Sequence, residues 1–459
     1  MNVLVLMCDH LRYDAIGFHG NPYVRTPNLD RLAARSVRFT RGYCNSPLCG
    51  PTRHSLATGT YPYRHGVTNN SMLPVEGMHT VAHELAGNGW RTACIGHMHW
   101  QRMETSDDRQ DVFPDHGYEE YHCIHPDQSG LADWQRKRLM WETLQVTQHC
   151  TAGASVAPEE HSYSRQISDA SIRKLREWKE RGERFLNWTS YNDPHPPFFP
   201  PAEIYAHYAG LDLPPPIVRP EGARPSQAET ATDPVWAAMM PLDHRVMKAG
   251  YYGLIDLADR HLGRVLDALD ELDLWKDTMV IFTVDHGEML GDFGRYFKNV
   301  MWEQATHMPF FVCHPAAQPG ECDALVEHVD IFPTLCDALG VSIPEGVQGR
   351  SLMPCLSERR APADWRRYAL AQLDDLVMVR DDRWKLVYKQ GRPAHLFDLQ
   401  QDPGECHDRL ADQPEVAGAL DAQFQRDHPD LFPATARIRA SGRLRKKKVK
   451  PAIAWGQFK

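Results

Sequence analysis

Two apolar runs, Val3-Leu4-Val5-Leu6-Met7 and Met279-Val280-Ile281-Phe282-Thr283-Val284, constrain the fold of this chain more than any other feature. Strands that are apolar on both faces are covered on both faces, which is the pattern of a parallel sheet between layers of helices. Each run stops at an Asp-His pair, Asp9-His10 and Asp285-His286. In α/β proteins functional groups collect just beyond the carboxyl ends of the strands. Two strand ends, each offering Asp plus a second ligand type, therefore predict a site for one divalent cation. Taken alone, Asp9 serves equally well as a cap for the turn that follows it.

The segments between these runs alternate helix and strand. Thr26-Pro27-Asn28-Leu29-Asp30-Arg31-Leu32 has an N-cap residue, a proline at the first helical position and apolar residues three apart. Thr80–Ala86 reads as a second capped helix, and Arg91–Ile95 as a strand that delivers Gly96-His97-Met98-His99 to the same sheet edge. Ser164–Trp178 carries a helical apolar face, and Phe185–Thr189 is a strand running into Asn192-Asp193-Pro194-His195-Pro196-Pro197-Phe198. A long amphipathic helix is expected from Tyr251 to about Leu269. Residues 101–162 are irregular, and 200–241 read as a loop over the surface with the character of a lid. After a charged linker at 357–365, the stretches Val377–Arg380, Trp384–Tyr388 and His395–Leu399 alternate as short strands. A turn at Asp402–Glu405 then leads to a last helix from Pro414 to about Phe424.

The stretch Cys49-Gly50-Pro51-Thr52-Arg53-His54-Ser55-Leu56-Ala57-Thr58-Gly59 reads as a turn closing into a short helix, with Pro51 in an early position where its missing N–H costs nothing. Cys49 then stands at a helix N-terminus, which favours negative charge, with Arg53 one turn further along the same face. By itself this fits either a capping turn around a buried cysteine or a thiol placed for reaction or modification. The length of the pattern separates the two. Cys-Gly-Pro-Thr-Arg followed by Leu56-Ala57-Thr58-Gly59 resembles the signature of the type I, formylglycine-dependent sulfatases of the alkaline phosphatase-like superfamily, which includes arylsulfatases and the related phosphonate monoester hydrolases. Thr26–Leu32, Pro194-His195-Pro196-Pro197, Asp285-His286-Gly287-Glu288 and Lys298-Asn299-Val300-Met301-Trp302-Glu303 resemble further segments of that family, in the family's order.

The resemblance implies an α/β fold: a large mixed sheet flanked by helices, with a smaller C-terminal α+β subdomain carrying a short antiparallel sheet. The corresponding division is a catalytic domain at 1–360, a subdomain at 366–430 and a basic arm at 431–459. It also implies that a formylglycine-generating system of the host oxidises Cys49 to an aldehyde whose hydrate is the nucleophile. Asp9, Asp285, His286 and the modified Cys49 are then the expected metal ligands, with His10 as a further candidate, although the family carries Asp or Gln there. Arg53 is expected to steady the deprotonated hydrate. Lys298, His99 and His195 are expected to hold the oxygens of the substrate anion, one histidine protonating the leaving oxygen. His97 stands where the family commonly has a lysine, so it offers a hydrogen bond without a permanent charge.

Oxygen-only sites favour calcium, whereas an imidazole ligand shifts the expectation toward manganese. The substrate is expected to be a small-molecule sulfate ester, the alternative being a phosphonate monoester or phosphodiester, since all present a tetrahedral centre with one negative charge. A net charge of −9 gives no support for nucleic acid as a partner. The 11 cysteines, an odd number without a CxxC pair, point to reduced thiols and a cytoplasmic setting rather than a disulfide framework. Neither a leader at Met1–Cys8 nor a membrane span is expected. Arg437–Lys450 carries eight basic residues and no acidic one. A purely polyanion-binding protein would rest on that stretch alone. The closing Ile453, Trp455 and Phe458 are more apolar than a solvated end requires, which suggests an arm docking on a second copy in a homo-oligomer.

Overall fold

The computed structural model describes residues 1–70, 72, 75, 77–98, 116–122, 124, 129, 131–136, 152–218, 243–429 and 431. His99, most of the 101–162 segment, residues 219–242 and the expected C-terminal arm from 432 onward lie outside the described residues.

The larger sheet is built from β1 (Asn2–Cys8), β2 (Val37–Tyr43), β3 (Arg91–Gly96), β4 (Glu120–His122), β5 (Phe185–Tyr191), β6 (Thr278–Val284), β7 (His307–Met308), β8 (Phe310–Cys313) and β9 (Gly320–Glu327). Among the described residues its order is β4-β3-β5-β1-β6-β8-β2-β7, with β9 also pairing to β2. The half from β4 to β6 is parallel, whereas β8 runs antiparallel to both β6 and β2, so the sheet is mixed as expected. Every residue of β1, β5 and β6 is buried, which is what apolar character on both strand faces predicts.

Register aligns the functional strand ends. Cys8 pairs with Tyr191 on one side and Val284 on the other, and Gly96 pairs with Ser190. The chain therefore leaves β3, β5, β1 and β6 at one edge, carrying His97, His195, Asp9 and Asp285 respectively. Two glycines allow that crowding. A Cβ on Gly96 (φ 94°) would lie 2.1 Å from the Ser190 carbonyl oxygen, and one on Gly287 would lie 1.8 Å from that of Gln304.

Helices α1 (Pro27–Ala34), α2 (Cys49–Thr58), α3 (Val81–Gly87), α4 (Tyr163–Arg181), α5 (Ala202–Ala209), α6 (His244–Glu271) and α7 (Ile331–Leu339) cover the sheet. Thr26 precedes α1 as expected but does not cap it. The carboxylate of Asp259 on α6 does so instead, accepting from the backbone N–H of Asn28 at 3.1 Å and of Leu29 at 2.7 Å. Residues 200–241 were expected to be loop throughout. Instead α5 forms there, because Ile204 and Tyr208 bury one face against α6, with the Tyr208 hydroxyl 3.0 Å from Asp256. Likewise α6 begins seven residues before the expected Tyr251, started by an Asp243 side chain that accepts from Arg245 N–H at 2.9 Å.

A second, four-stranded antiparallel sheet follows: β10 (Ala369–Leu373), β11 (Leu376–Arg380), β12 (Trp384–Lys389) and β13 (Arg392–Asp398), with α8 (Pro414–Asp427) packed on it through Phe424. The ammonium of Lys385 on β12 is fully buried and lies 2.6 Å from Glu303 and 2.8 Å from Glu405. Glu303 is the last residue of the Lys298 segment, so this ion cluster ties the small sheet to the loop that carries Lys298. No helix among the described residues is long and apolar enough to cross a membrane.

Candidate active site

All ten residues of α2 are buried, and the helix stops at Gly59 in the left-handed conformation. At its start the Gly50 N–H donates to the Asn70 side chain at 2.8 Å, which fixes the turn on which Cys49 sits. Cys49 Sγ lies 3.1 Å from His286 Nε2 and 3.9 Å from Asp9 Oδ1. Helix N-termini lower thiol pKa values. Here burial, followed by the Asp9 carboxylate, pushes the Cys49 thiol up instead.

Arg53 is completely buried one turn further on. Its Nη2 donates to Asp9 Oδ2 and to Asp285 Oδ2, both at 3.0 Å, and its Nε reaches the same Asp285 oxygen at 3.1 Å. Nη1 donates to the His97 carbonyl at 2.5 Å and the Ser190 hydroxyl at 3.0 Å. Arg53 thus gathers four strand ends around one guanidinium, a use of its planar fork that a lysine could not reproduce. Burial, and then the neighbouring Asp285 charge, push the Asp9 carboxyl up to about 8. Asp285 shifts down against its own burial, because the Arg53 and Lys298 cations and the His10 backbone N–H favour its charge.

The carboxylates of Asp9 and Asp285, the imidazole of His286 and the sulfur of Cys49 place one ligand atom each within 4.8 Å of the others, all buried. His286 Nδ1 donates to the Gly287 carbonyl at 3.0 Å, so its Nε2 lone pair faces the cluster. Burial pushes this imidazole down to about 3, which keeps it neutral. Two carboxylates, a neutral imidazole and a position for one further ligand form a donor set that fits a single divalent cation.

The remaining candidates divide as follows. His195 donates from Nδ1 to the Pro196 carbonyl at 2.5 Å, and its ring lies 4.3 Å from that of His10. His97 is brought in through Asp9, with Nε2 3.4 Å from Oδ2. Lys298 is buried, and its ammonium contacts His10 Nε2. His10 itself is committed differently from the other ligand candidates. Its Nδ1 lies 2.8 Å from Glu288 Oε2, its N–H donates to Asp285 Oδ1 at 3.1 Å, and its carbonyl accepts from the Tyr251 hydroxyl at 2.7 Å. It also forms part of a second ligand-like group with Asp9, Cys49 and His195.

Sequence reasoning quoted Glu288 without giving it a role, and passed over Ser190, Asn70 and His328. His328 donates from Nε2 to the Val284 carbonyl at 2.8 Å and accepts at Nδ1 from the Thr52 hydroxyl at 2.7 Å, joining α2 to the end of β6. Only Glu288 carried a usable signal: an acidic residue one glycine beyond the second Asp-His pair, at the same strand end.

This fold and this cluster define an enzyme of the alkaline phosphatase-like class, a sulfuric ester hydrolase. The chain belongs to the sulfatase family, whose model matches residues 1–341, and residues 291–427 match the model described as N-sulphoglucosamine sulphohydrolase, C-terminal. It is 30% identical to a choline-sulfatase of Rhizobium meliloti (strain 1021) over 441 residues, covering 90% of this chain and 83% of the relative. It is 28% identical to an arylsulfatase of Clostridium perfringens (strain 13 / Type A), covering 88% of this chain and 89% of that protein. Among solved structures it resembles a phosphonate monoester hydrolase from Silicibacter pomeroyi with a TM-score of 0.79 and 27% identity, covering 93% of this chain and 95% of that one. Formylglycine and a divalent metal are general features of the family.

Proposed function

We propose that this protein hydrolyses sulfate monoesters through a formylglycine formed from Cys49, with one divalent cation held by Asp9, Asp285, His286 and the modified residue 49. The observation that carries this reading is the position of Cys49 at the start of α2, its sulfur 3.1 Å from His286 Nε2 and inside the carboxylate cluster. When bound, the cation supplies Lewis-acid polarisation of an ester oxygen, and the aldehyde hydrate supplies the attacking hydroxyl.

The other groups act from positions described above. Arg53 holds Asp9 and Asp285 aligned through its hydrogen bonds and favours the charged form of both, so that neither turns away as charge changes nearby. Lys298 donates to the non-bridging oxygens of the ester, where negative charge builds in the transition state. His195 donates from Nδ1 to the Pro196 carbonyl, and as imidazolium it protonates the leaving oxygen from Nε2. His99 joins this set by its resemblance to the family's sulfate-binding histidine.

A phosphonate monoester or phosphodiester hydrolase is the second reading, supported by the likeness to the Silicibacter pomeroyi enzyme. The sulfate reading is favoured because His97 and His99 stand where the phosphonate-cleaving relatives tend to carry hydroxyl side chains. The mass of the tryptic peptide containing Cys49 tests the mechanism common to both. The expected species has lost sulfur and reacts with hydrazides. Active protein holding only the alkylatable thiol would overturn the proposal.

A further inference from the structure

We propose that Glu288 is a positioning residue that aims Lys298 by way of His10, a role that rests on the hydrolase reading above. Glu288, His10 and Lys298 are all buried, and Glu288 and His10 expose no surface. The two oxygens of Glu288 do different things. Oε1 accepts from the backbone N–H of Leu290 at 3.1 Å and from that of Phe297, the residue before Lys298. Oε2 faces His10 Nδ1 at 2.8 Å. One carboxylate therefore grips the loop carrying Lys298 and the strand end carrying Asp9.

The tautomer of His10 follows from its other partner. A lysine ammonium can only donate. His10 Nε2, in contact with Lys298 Nζ, must accept, so the ring proton is on Nδ1 and points at Glu288. With Nε2 occupied in this way, one ammonium proton is taken by His10 and the other two are left to face the substrate anion.

The backbone supports this assignment. His10 (φ 65°), Phe297 (φ 65°) and Asn299 (φ 74°) all adopt the left-handed region, which residues with side chains occupy only when their surroundings hold them there. At His10 the restraints are Asp285 and Tyr251; at Phe297 they are Glu288 and the Met289 N–H, which donates to the Phe297 carbonyl at 2.7 Å. Asn299 N–H donates to the Pro47 carbonyl at 3.2 Å. Lys298 thus stands between two left-handed residues, and Glu288 helps to hold the strained one, Phe297.

Glu288→Gln separates this role from simple packing. The amide has nearly the same shape, but its oxygen must stay on the two backbone N–H groups, which turns its NH2 toward His10 Nδ1. His10 can accept there only by moving its proton to Nε2, which then opposes the Lys298 ammonium. In the full-length metal-loaded protein, we expect kcat/KM for an aryl sulfate to fall about 10–100-fold with metal content unchanged, and, in protein loaded with diamagnetic calcium so that the ring remains visible, the 15N signals of His10 exchanging from the Nδ1–H to the Nε2–H pattern. Unchanged kcat/KM, or retention of Nδ1–H in the variant, would overturn the inference. Loss of metal in step with activity would also overturn it, since His10 would then be acting as a ligand. If Glu288→Gln does not fold, His10→Gln and His10→Leu provide the second measurement. Glutamine can donate its amide to Glu288 and offer its oxygen to Lys298, so it should exceed leucine in kcat/KM by at least about tenfold; equal losses would sink the proposal. The tautomer is read without turnover, so its failure is distinguishable from failure of the hydrolase reading, which would appear as inactivity of the unmodified sequence.

Discussion

Arg53 meets Asp285 through two nitrogens on a single carboxylate oxygen, Nε at 3.1 Å and Nη2 at 3.0 Å, while the same Nη2 reaches Asp9. All three side chains are buried completely. The pair is thus an internal support for the candidate metal ligands, beside the expected role of Arg53 in steadying the hydrate. Removing the cation would leave two carboxylates buried and facing each other.

Arg53→Met should accordingly lower unfolding free energy by about 3–5 kcal/mol, the usual cost of leaving a buried charge without its partner. Chemical denaturation of the two proteins under identical metal loading measures it. A loss below about 1 kcal/mol would mean that the carboxylates find another counter-charge.

Chelation should act on the same cluster. Stripping metal from a protein that binds it only when folded removes about 2.7 kcal/mol if the ion had been present at a hundred times its Kd. The melting temperature should fall and recover on adding back the native ion. Elemental analysis of protein purified without chelator is expected to find manganese, and calcium alone at full occupancy would refute that assignment.

Replacing Lys298 by Ala should slow sulfate and phosphonate esters alike, by about 10–100-fold in kcat/KM, because a charge-assisted contact to a non-bridging oxygen is lost in both. For the unaltered enzyme, aryl sulfate should be cleaved best, phosphonate monoesters and diesters less well, and phosphate monoesters worst. Assays on one aryl leaving group with each anion decide the order. A phosphonate that outruns the sulfate would make the second reading the main one.

Stability toward acid should depend on His328. Burial pushes its imidazole down to about 3, where it stays neutral with both nitrogens hydrogen-bonded. Between about pH 6.5 and 3 the unfolded chain then binds a proton that the native state refuses, so the stability contributed by His328 is complete above that range and is lost as pH falls through it. Denaturation curves of wild type and His328→Gln should diverge with a slope approaching about 1.4 kcal/mol per pH unit. Parallel curves would show that the imidazole titrates normally.

The apolar runs of β1 and β6, the capped start of α3 at Thr80 and the glycine-ended α2 with Cys49 at its head were all legible in the sequence. Each depends on residues within one strand or one helical turn, where side-chain period and turn chemistry act directly. The ends of β1 and β6 also marked Asp9 and Asp285 in advance, because functional groups of an α/β sheet collect just beyond the carboxyl ends of its strands. Tertiary structure alone decided the rest. His10 meets Glu288 across 278 positions and Arg53 meets Asp285 across 232. Asp259 caps α1 from 230 residues away, and α5 forms only because α6 is there to bury Ile204 and Tyr208. No local propensity encodes such partners. They are chosen when strand register brings buried donors and acceptors together and leaves each no water to bond to instead.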